Sequence, residues 1–142
     1  MTPSFPANMR LLLAHKQKTS ARVRWVRFAH GLCAFQALPT LASVLEVAPL
    51  NRVELHPTLY LRSAEARLGL DSGGLALEPE FNASVETPDA LIQVRLATFT
   101  GIDPPFDAAE RLGGKFIAIT EARGCAPVEL EFLRQAYAVL MG

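Results

Sequence analysis

Residues 67–77, RLGLDSGGLAL, carry the clearest local signal in the chain. Leucines recur on both sides of the DSGG segment at residues 71–74, and its two glycines allow the positive φ angles of a tight turn. The pattern predicts a β-hairpin with arms at residues 67–70 and 75–77. An antiparallel sheet is therefore the expected centre of the fold.

Further strands are predicted on both sides of this hairpin. Apolar and polar side chains alternate over residues 52–62, where Pro57 cannot donate a ladder hydrogen bond and so indicates an edge strand or a bulge. In chain order, the predicted strands cover residues 52–62, 67–70, 75–77 with an extension past Pro79 through Phe81 and Val85, 90–100, and 115–120.

Helices are predicted towards both ends of the chain. In residues 37–47 apolar side chains recur at helical spacing. For residues 21–30 a helix is favoured, because Thr19 or Ser20 can cap its start and Gly31 can end it. A strand is the alternative, because apolar residues partly alternate with arginine. The predicted helices cover residues 9–18, 21–30, 37–47, a short segment from Asp107 through Leu112, and a final segment that begins at Pro127.

The expected fold class is α+β: a mostly antiparallel sheet of about four or five strands, with N-terminal and C-terminal helices packed on one face. A chain of 142 residues matches one domain in size, and its 50% hydrophobic composition excludes a disordered chain. We expect a single globular domain over residues 1–142, with residues 1–8 as a loose lead-in.

Hydropathy indicates neither a membrane span nor an exported chain. We find no stretch of about eighteen uncharged apolar residues. The uncharged run over residues 28–44 is interrupted by His30, Gln36 and Pro39, which is unlike a signal peptide. A cytoplasmic location without membrane association is therefore expected.

The charges are unevenly distributed although the chain is neutral overall. Residues 1–45 contain basic residues and no acidic one. Arg22, Arg24 and Arg27 surround Trp25, an arrangement that could contact phosphates and stack a base. A neutral protein has a weak electrostatic footprint for nucleic acid, so nucleic-acid binding is a less favoured alternative.

We find no catalytic, metal or cofactor motif in the sequence. His15, His30 and His56 are far apart, and Cys33 and Cys125 lack the paired spacing of a zinc or redox site. The glycine pairs at residues 73–74 and 113–114 do not precede a predicted helix, as the glycines of a nucleotide-binding loop do. We therefore predict no metal and no cofactor, and a binding protein is more expected than an enzyme.

A small enzyme or a ligand pocket is the main alternative. Its polar groups would be His56, Asp103, Glu121 and Arg123 in an apolar cleft. Arg95, in the middle of a predicted strand, would need a partner if it points inward. This alternative requires these residues to lie together in the folded chain.

The leading hypothesis is a non-enzymatic module that binds a protein partner or a small apolar ligand, as a homodimer. The apolar composition and the wide apolar face of the C-terminal helix motivate this hypothesis. Leu133, Tyr137, Leu140 and Met141 would form the dimer interface.

Overall fold

A computed structural model of the chain describes residues 5–39, 41–45 and 56–142. These residues form six β-strands, three α-helices and one short 3-10 helix. In chain order the elements are β1 (Met9–Lys16), β2 (Val23–Arg27), β3 (Ser43–Val44), α1 (Pro57–Leu68), β4 (Leu75–Glu86), β5 (Leu91–Phe99), α2 (Phe106–Arg111), β6 (Lys115–Ile117), the 3-10 helix (Ile119–Glu121) and α3 (Pro127–Met141).

The six strands form one mixed sheet that curves into a half-barrel, in the order β3-β4-β5-β1-β2-β6. β1 and β5 run parallel, whereas the other described neighbours pair antiparallel. The α+β class is confirmed, but the prediction of a mostly antiparallel sheet of four or five strands is wrong. β1 and β5 are far apart in sequence, and a parallel pair requires such a long connection, whereas the prediction rests on tight hairpin turns.

The N-terminal helix predicted over residues 9–18 is absent, and β1 takes its place. Every residue of β1 except Lys16 is buried. Leu12 and Ala14 face one apolar core, and Leu11 faces the other. A strand buried on both faces has a continuous apolar sequence, which hydrophobic periodicity does not distinguish from a buried helix.

A strand, β2, also replaces the helix predicted over residues 21–30, so the alternative prediction for this segment is correct. Trp25 and Val26 point to opposite faces of the sheet, as the alternation of a strand requires. β2 pairs with β1, where Trp25 lies opposite Ala14.

Helix α1 replaces the predicted edge strand and the first arm of the predicted hairpin. Pro57 lies in the first turn of the helix, where its missing N–H is not needed, and His56 Nδ1 accepts a hydrogen bond of 3.2 Å from the Thr58 N–H. Gly69, with a φ of 71°, ends the helix in the left-handed conformation. Residues 52–55 of the predicted strand lie outside the described residues.

The tight turn predicted at residues 71–74 is present, but it joins α1 to β4 and not two strands. The buried carboxylate of Glu65 in α1 holds this turn. Its Oε2 accepts hydrogen bonds from the Gly73 and Leu75 N–H groups at 2.9 and 3.2 Å. The glycine-rich segment is therefore fixed by the helix that precedes it.

The predictions for the C-terminal half are closer to the structure. The strand over residues 90–100, the short helix after it and the final helix are confirmed as β5, α2 and α3. The strand predicted over residues 115–120 ends at Ile117. In the helix predicted over residues 37–47, residues 43–44 form β3 instead, and residues 40, 46 and 47 lie outside the described residues.

Helices cover both faces of the sheet, and not one face as predicted. Phe132, Leu133 and Ala136 of α3 pack on one face. Ala64 of α1 and Ala109 of α2 belong to a second core on the opposite face. Within the described residues, we find no helix with both the length and the apolar composition that a membrane crossing requires.

Candidate ligand-binding site

The chain that leaves β2 folds back on itself. Phe28 and Gly31 exchange backbone hydrogen bonds of 2.7 and 3.1 Å, and the Ala34 N–H donates to the carbonyl oxygen of Leu11 in β1 at 2.8 Å. Gly31 has a φ of 132°, which favours glycine because other residues rarely adopt it. These bonds hold residues 28–35, which we call the aromatic loop, against β1.

A buried carboxylate anchors the aromatic loop to α3. Glu129 lies in the first turn of α3, and its Oε2 accepts hydrogen bonds from the Leu32 and Cys33 N–H groups at 2.8 and 3.1 Å. A Cβ atom at Gly31 would overlap Glu129 Oε1. The loop conformation therefore depends on Gly31 and Glu129 together.

The aromatic loop forms one side of an open cavity of about 500 Å³. We call it the aromatic cavity, and it is lined by Phe28, His30 and Phe35 of the loop, Arg67 of α1 and Leu112 after α2. Its volume lies in the range of pockets that hold small molecules. The three segments meet here because α1 and α2 pack on the same face of the sheet.

The planar side chains of the aromatic cavity contact one another. The His30 imidazole stacks on Phe28, with ring centroids 5.4 Å apart and an interplanar angle of 3°. His30 Nε2 lies 2.6 Å from the carbonyl oxygen of Cys33. The guanidinium carbon of Arg67 lies 5.1 Å from the ring centroid of Phe35, within the range of a cation–π contact. The cavity thus presents rings and a cation in defined orientations.

Phe35 has a strained backbone. Its φ is 71°, a left-handed conformation that costs a bulky residue about 1–3 kcal/mol. The ring is held by a T-shaped contact with Phe5, with centroids 5.1 Å apart, and by Arg67. Strain of this kind concentrates at ligand sites and active sites, and here it occurs in a cavity wall.

Aromatic faces and a guanidinium together favour one class of ligand. A guanidinium binds carboxylates and phosphates through paired N–H donors, and aromatic rings stack on planar molecules. Arg67 is exposed, so its side chain can turn towards a ligand. A planar aromatic anion satisfies both groups. Within the described part of the chain, we find no three His, Cys, Asp or Glu side chains grouped as metal ligands.

None of these residues is predicted from the sequence to lie in a ligand site. His30 is named only among histidines too far apart to form a metal site, and Phe28 and Phe35 lie in the uncharged run over residues 28–44. A signal was present in FAHGLCAF at residues 28–35, where two phenylalanines and a histidine surround a glycine. The contribution of Arg67 depends on α1 being a helix, which the sequence reading does not predict.

Four of the residues predicted for a ligand pocket are spread over three separate segments of the chain. His56 caps α1, Glu121 ends the 3-10 helix, and Arg123 is exposed shortly after it. Asp103 is also exposed and lines a different cavity, beside the turn at residues 71–74. These four residues do not line the aromatic cavity.

Arg95, the fifth predicted ligand residue, is buried on β5. Its Nη1 donates hydrogen bonds to the carbonyl oxygens of Ala83 and Val94 at 3.1 and 3.0 Å, and its Nη2 donates to Gln93 Oε1 at 2.8 Å. These acceptors offset the loss of hydration of a buried guanidinium. Arg95 therefore belongs to a polar cluster within the sheet.

The residues predicted for a dimer interface point in two directions. Leu133 and Leu140 are buried in the core between α3 and the sheet. Tyr137 and Met141 are 36% and 37% exposed and lie at helical spacing from Leu130, which is 40% exposed. We call Leu130, Tyr137 and Met141 the outer row of α3.

The residues considered for nucleic-acid binding do not form one surface. Trp25 is buried in the core that α3 covers. Arg22 is exposed, whereas the Arg24 guanidinium lies 5.8 Å from the ring centroid of Phe106. Arg27 Nη1 donates a 2.9 Å hydrogen bond to the carbonyl oxygen of Glu121. A base could not stack on Trp25 unless this core opened.

The two cysteines differ in environment. Burial raises the pKa of the Cys33 thiol, and the nearby Glu129 carboxylate raises it further. Partial burial also raises the pKa of Cys125, which is more accessible than Cys33. Because the thiolate is the reactive form, both thiols should react slowly, and Cys33 should react more slowly than Cys125.

We expect iodoacetamide to modify Cys125 in the folded protein roughly a hundredfold faster than Cys33, because Cys33 is reached only through local or global opening. Peptide mass spectrometry of timed samples measures both rates, and the same reaction in denaturant is the control in which the two rates converge. Equal rates in the folded protein would contradict the packing of Cys33.

Comparisons with known proteins give no family. We find no protein-family model that matches the chain and no curated protein that is similar to it.

Proposed function

We propose that the chain is a non-enzymatic binding module that holds a small planar aromatic anion in the aromatic cavity. The strained Phe35 beside Arg67 supports this proposal most directly, because the chain tolerates an unfavourable backbone to present a ring and a cation together. The ligand ring would stack on Phe35 or His30, and its anionic group would bind Arg67.

We also expect a cytoplasmic location, where free cysteines such as Cys33 and Cys125 persist.

We expect 2-naphthoate, a planar aromatic carboxylate, to bind the wild-type protein in titration calorimetry, and Arg67→Gln to weaken this binding about tenfold. This loss is at the low end for a charge-assisted hydrogen bond because Arg67 is exposed to solvent. The uncharged 2-naphthamide should bind wild type and Arg67→Gln equally weakly.

Arg62→Gln is the matched control, because Arg62 is an exposed arginine of the same helix that does not line the aromatic cavity. It should bind 2-naphthoate as the wild type does. Equal affinities of Arg67→Gln and Arg62→Gln for 2-naphthoate, or no binding to the wild type, would contradict the proposal.

A homodimer is a second proposal, and the outer row of α3 supports it. Three apolar side chains at helical spacing, each more than a third exposed, can pack against the same row of a second copy. We expect Tyr137→Glu to convert a dimer into a monomer at tens of micromolar in sedimentation velocity. Ala66→Glu, on the exposed face of α1, is the control that should stay dimeric. A wild type that is monomeric at this concentration would refute the dimer.

A further inference from the structure

A second cavity lies next to the aromatic cavity and has a different chemistry. Its volume is about 280 Å³. Its walls are mostly apolar and come from the chain after the aromatic loop and from the start of α3: Leu38, Pro39, Ala42, Ala126, Pro127 and Val128. We call it the apolar cavity. It can hold a hydrocarbon group, but it offers little to orient a polar one.

The two cavities share one residue, because His30 lines both of them. The imidazole is held in place by stacking on Phe28 and by the 2.6 Å contact between Nε2 and the carbonyl oxygen of Cys33. Both cavities therefore border the same residue, and a ligand that spans them would have to pass His30.

The charged groups determine which end of such a ligand favours which cavity. Arg67 lines the aromatic cavity, and Glu129 lines the apolar cavity. An anionic group is attracted by Arg67 and repelled by the Glu129 carboxylate, which is already bound to the Leu32 and Cys33 N–H groups. The anionic end therefore favours the aromatic cavity, and an uncharged apolar end favours the apolar cavity.

We infer that the ligand is an amphiphile, with a planar aromatic anionic head in the aromatic cavity and a hydrocarbon tail that passes His30 into the apolar cavity. This inference rests on the proposed function and narrows its ligand class. Each methylene group that leaves water contributes about a fourfold gain in affinity at full burial. A butyl tail that is partly buried should therefore strengthen binding at least about tenfold.

The test compares 2-naphthoate with its 6-butyl derivative by titration calorimetry on three proteins. The wild type should bind the butyl compound about tenfold more tightly than 2-naphthoate. Ala126→Leu adds bulk to an exposed wall position of the apolar cavity, so it should abolish this gain and leave the affinity for 2-naphthoate unchanged. Ala138→Leu, an exposed position of α3 that lines neither cavity, should keep the gain. Near-ultraviolet circular dichroism confirms that each variant is folded.

Two results would overturn this inference while the proposed function stands: 2-naphthoate binds but the butyl group adds no affinity, or the gain persists in Ala126→Leu. In the second case the tail lies elsewhere on the surface. If neither compound binds the wild type, the proposed function fails, and the amphiphile fails with it.

Discussion

Replacing Glu129 by alanine is expected to lower the free energy of unfolding by about 4 kcal/mol, because two buried N–H groups lose their acceptor and each unsatisfied group costs about 1–3 kcal/mol. Those donors are the Leu32 and Cys33 N–H groups, which bind Glu129 Oε2 at 2.8 and 3.1 Å. Such a loss is a large part of the stability of an ordinary domain, which is about 5–15 kcal/mol. Urea unfolding followed by circular dichroism measures it.

Glu131→Ala is the matched control for Glu129→Ala. It removes a carboxylate from the same helix, but Glu131 is half-exposed and pairs with the exposed Arg134 in contact with water. Exposed ion pairs contribute little to stability, so the urea midpoint of Glu131→Ala should stay close to that of the wild type. If Glu129→Ala were no more destabilised than this control, Glu129 would not anchor the aromatic loop.

The second large effect is expected for Gly31→Ala, which should cost about 3 kcal/mol through backbone strain and overlap. Gly31 has a φ of 132°, and its new Cβ would meet the Glu129 carboxylate. Gly113→Ala isolates the effect of backbone strain, because Gly113 also has a positive φ, 76°, but has no atom within 4 Å of an added Cβ. We expect this control to lose about 1 kcal/mol.

The double variant Gly31→Ala with Glu129→Ala tests the overlap between an added Cβ at position 31 and the Glu129 carboxylate. Without the carboxylate, the alanine at position 31 no longer overlaps it, so the combined loss should fall short of the sum of the single losses by at least about 1 kcal/mol. Additive losses in urea unfolding would show that Gly31 is required for its φ angle alone.

The sequence predicts the C-terminal half of the fold well and the N-terminal half poorly, for a physical reason. β5 is flanked by turn residues, and Pro127 begins α3, so local signals and tertiary structure agree there. β1 has leucine, alanine and lysine, which favour helix locally, but its place between β2 and β5 makes it a strand. No local sequence signal indicates this position in the sheet, because the strands that pair with β1 are determined by the whole fold.

The error at α1 has a different origin, because its local signals were present but can be read in two ways. Pro57 is compatible with an edge strand and with the first turn of a helix, and Gly69 is compatible with a hairpin arm and with a helix end. In the structure Pro57 begins a helix, and His56 caps it by accepting the Thr58 N–H at Nδ1. A histidine is not among the preferred cap residues, so the helix start was not recognised.

The same two errors, at β1 and at α1, explain why the candidate site is not predicted from the sequence. The aromatic loop lies against β1 because β1 is a strand, and Arg67 lines the aromatic cavity because α1 is a helix. A sequence reading that misplaces both elements cannot bring Phe35 and Arg67 together. The residues predicted from their chemistry alone, such as His56 and Glu121, lie on separate elements.

The central position of β1 also sets the order in which the chain can fold. The β1–β2 and β4–β5 hairpins each join strands that are close in sequence, so they can form within microseconds. The parallel seam between β1 and β5 closes a long loop, and such non-local pairings form slowly. Until that seam closes, the largely apolar edge of β1 is open to other newly made chains. The step that completes the sheet is thus also the step at which aggregation competes with folding.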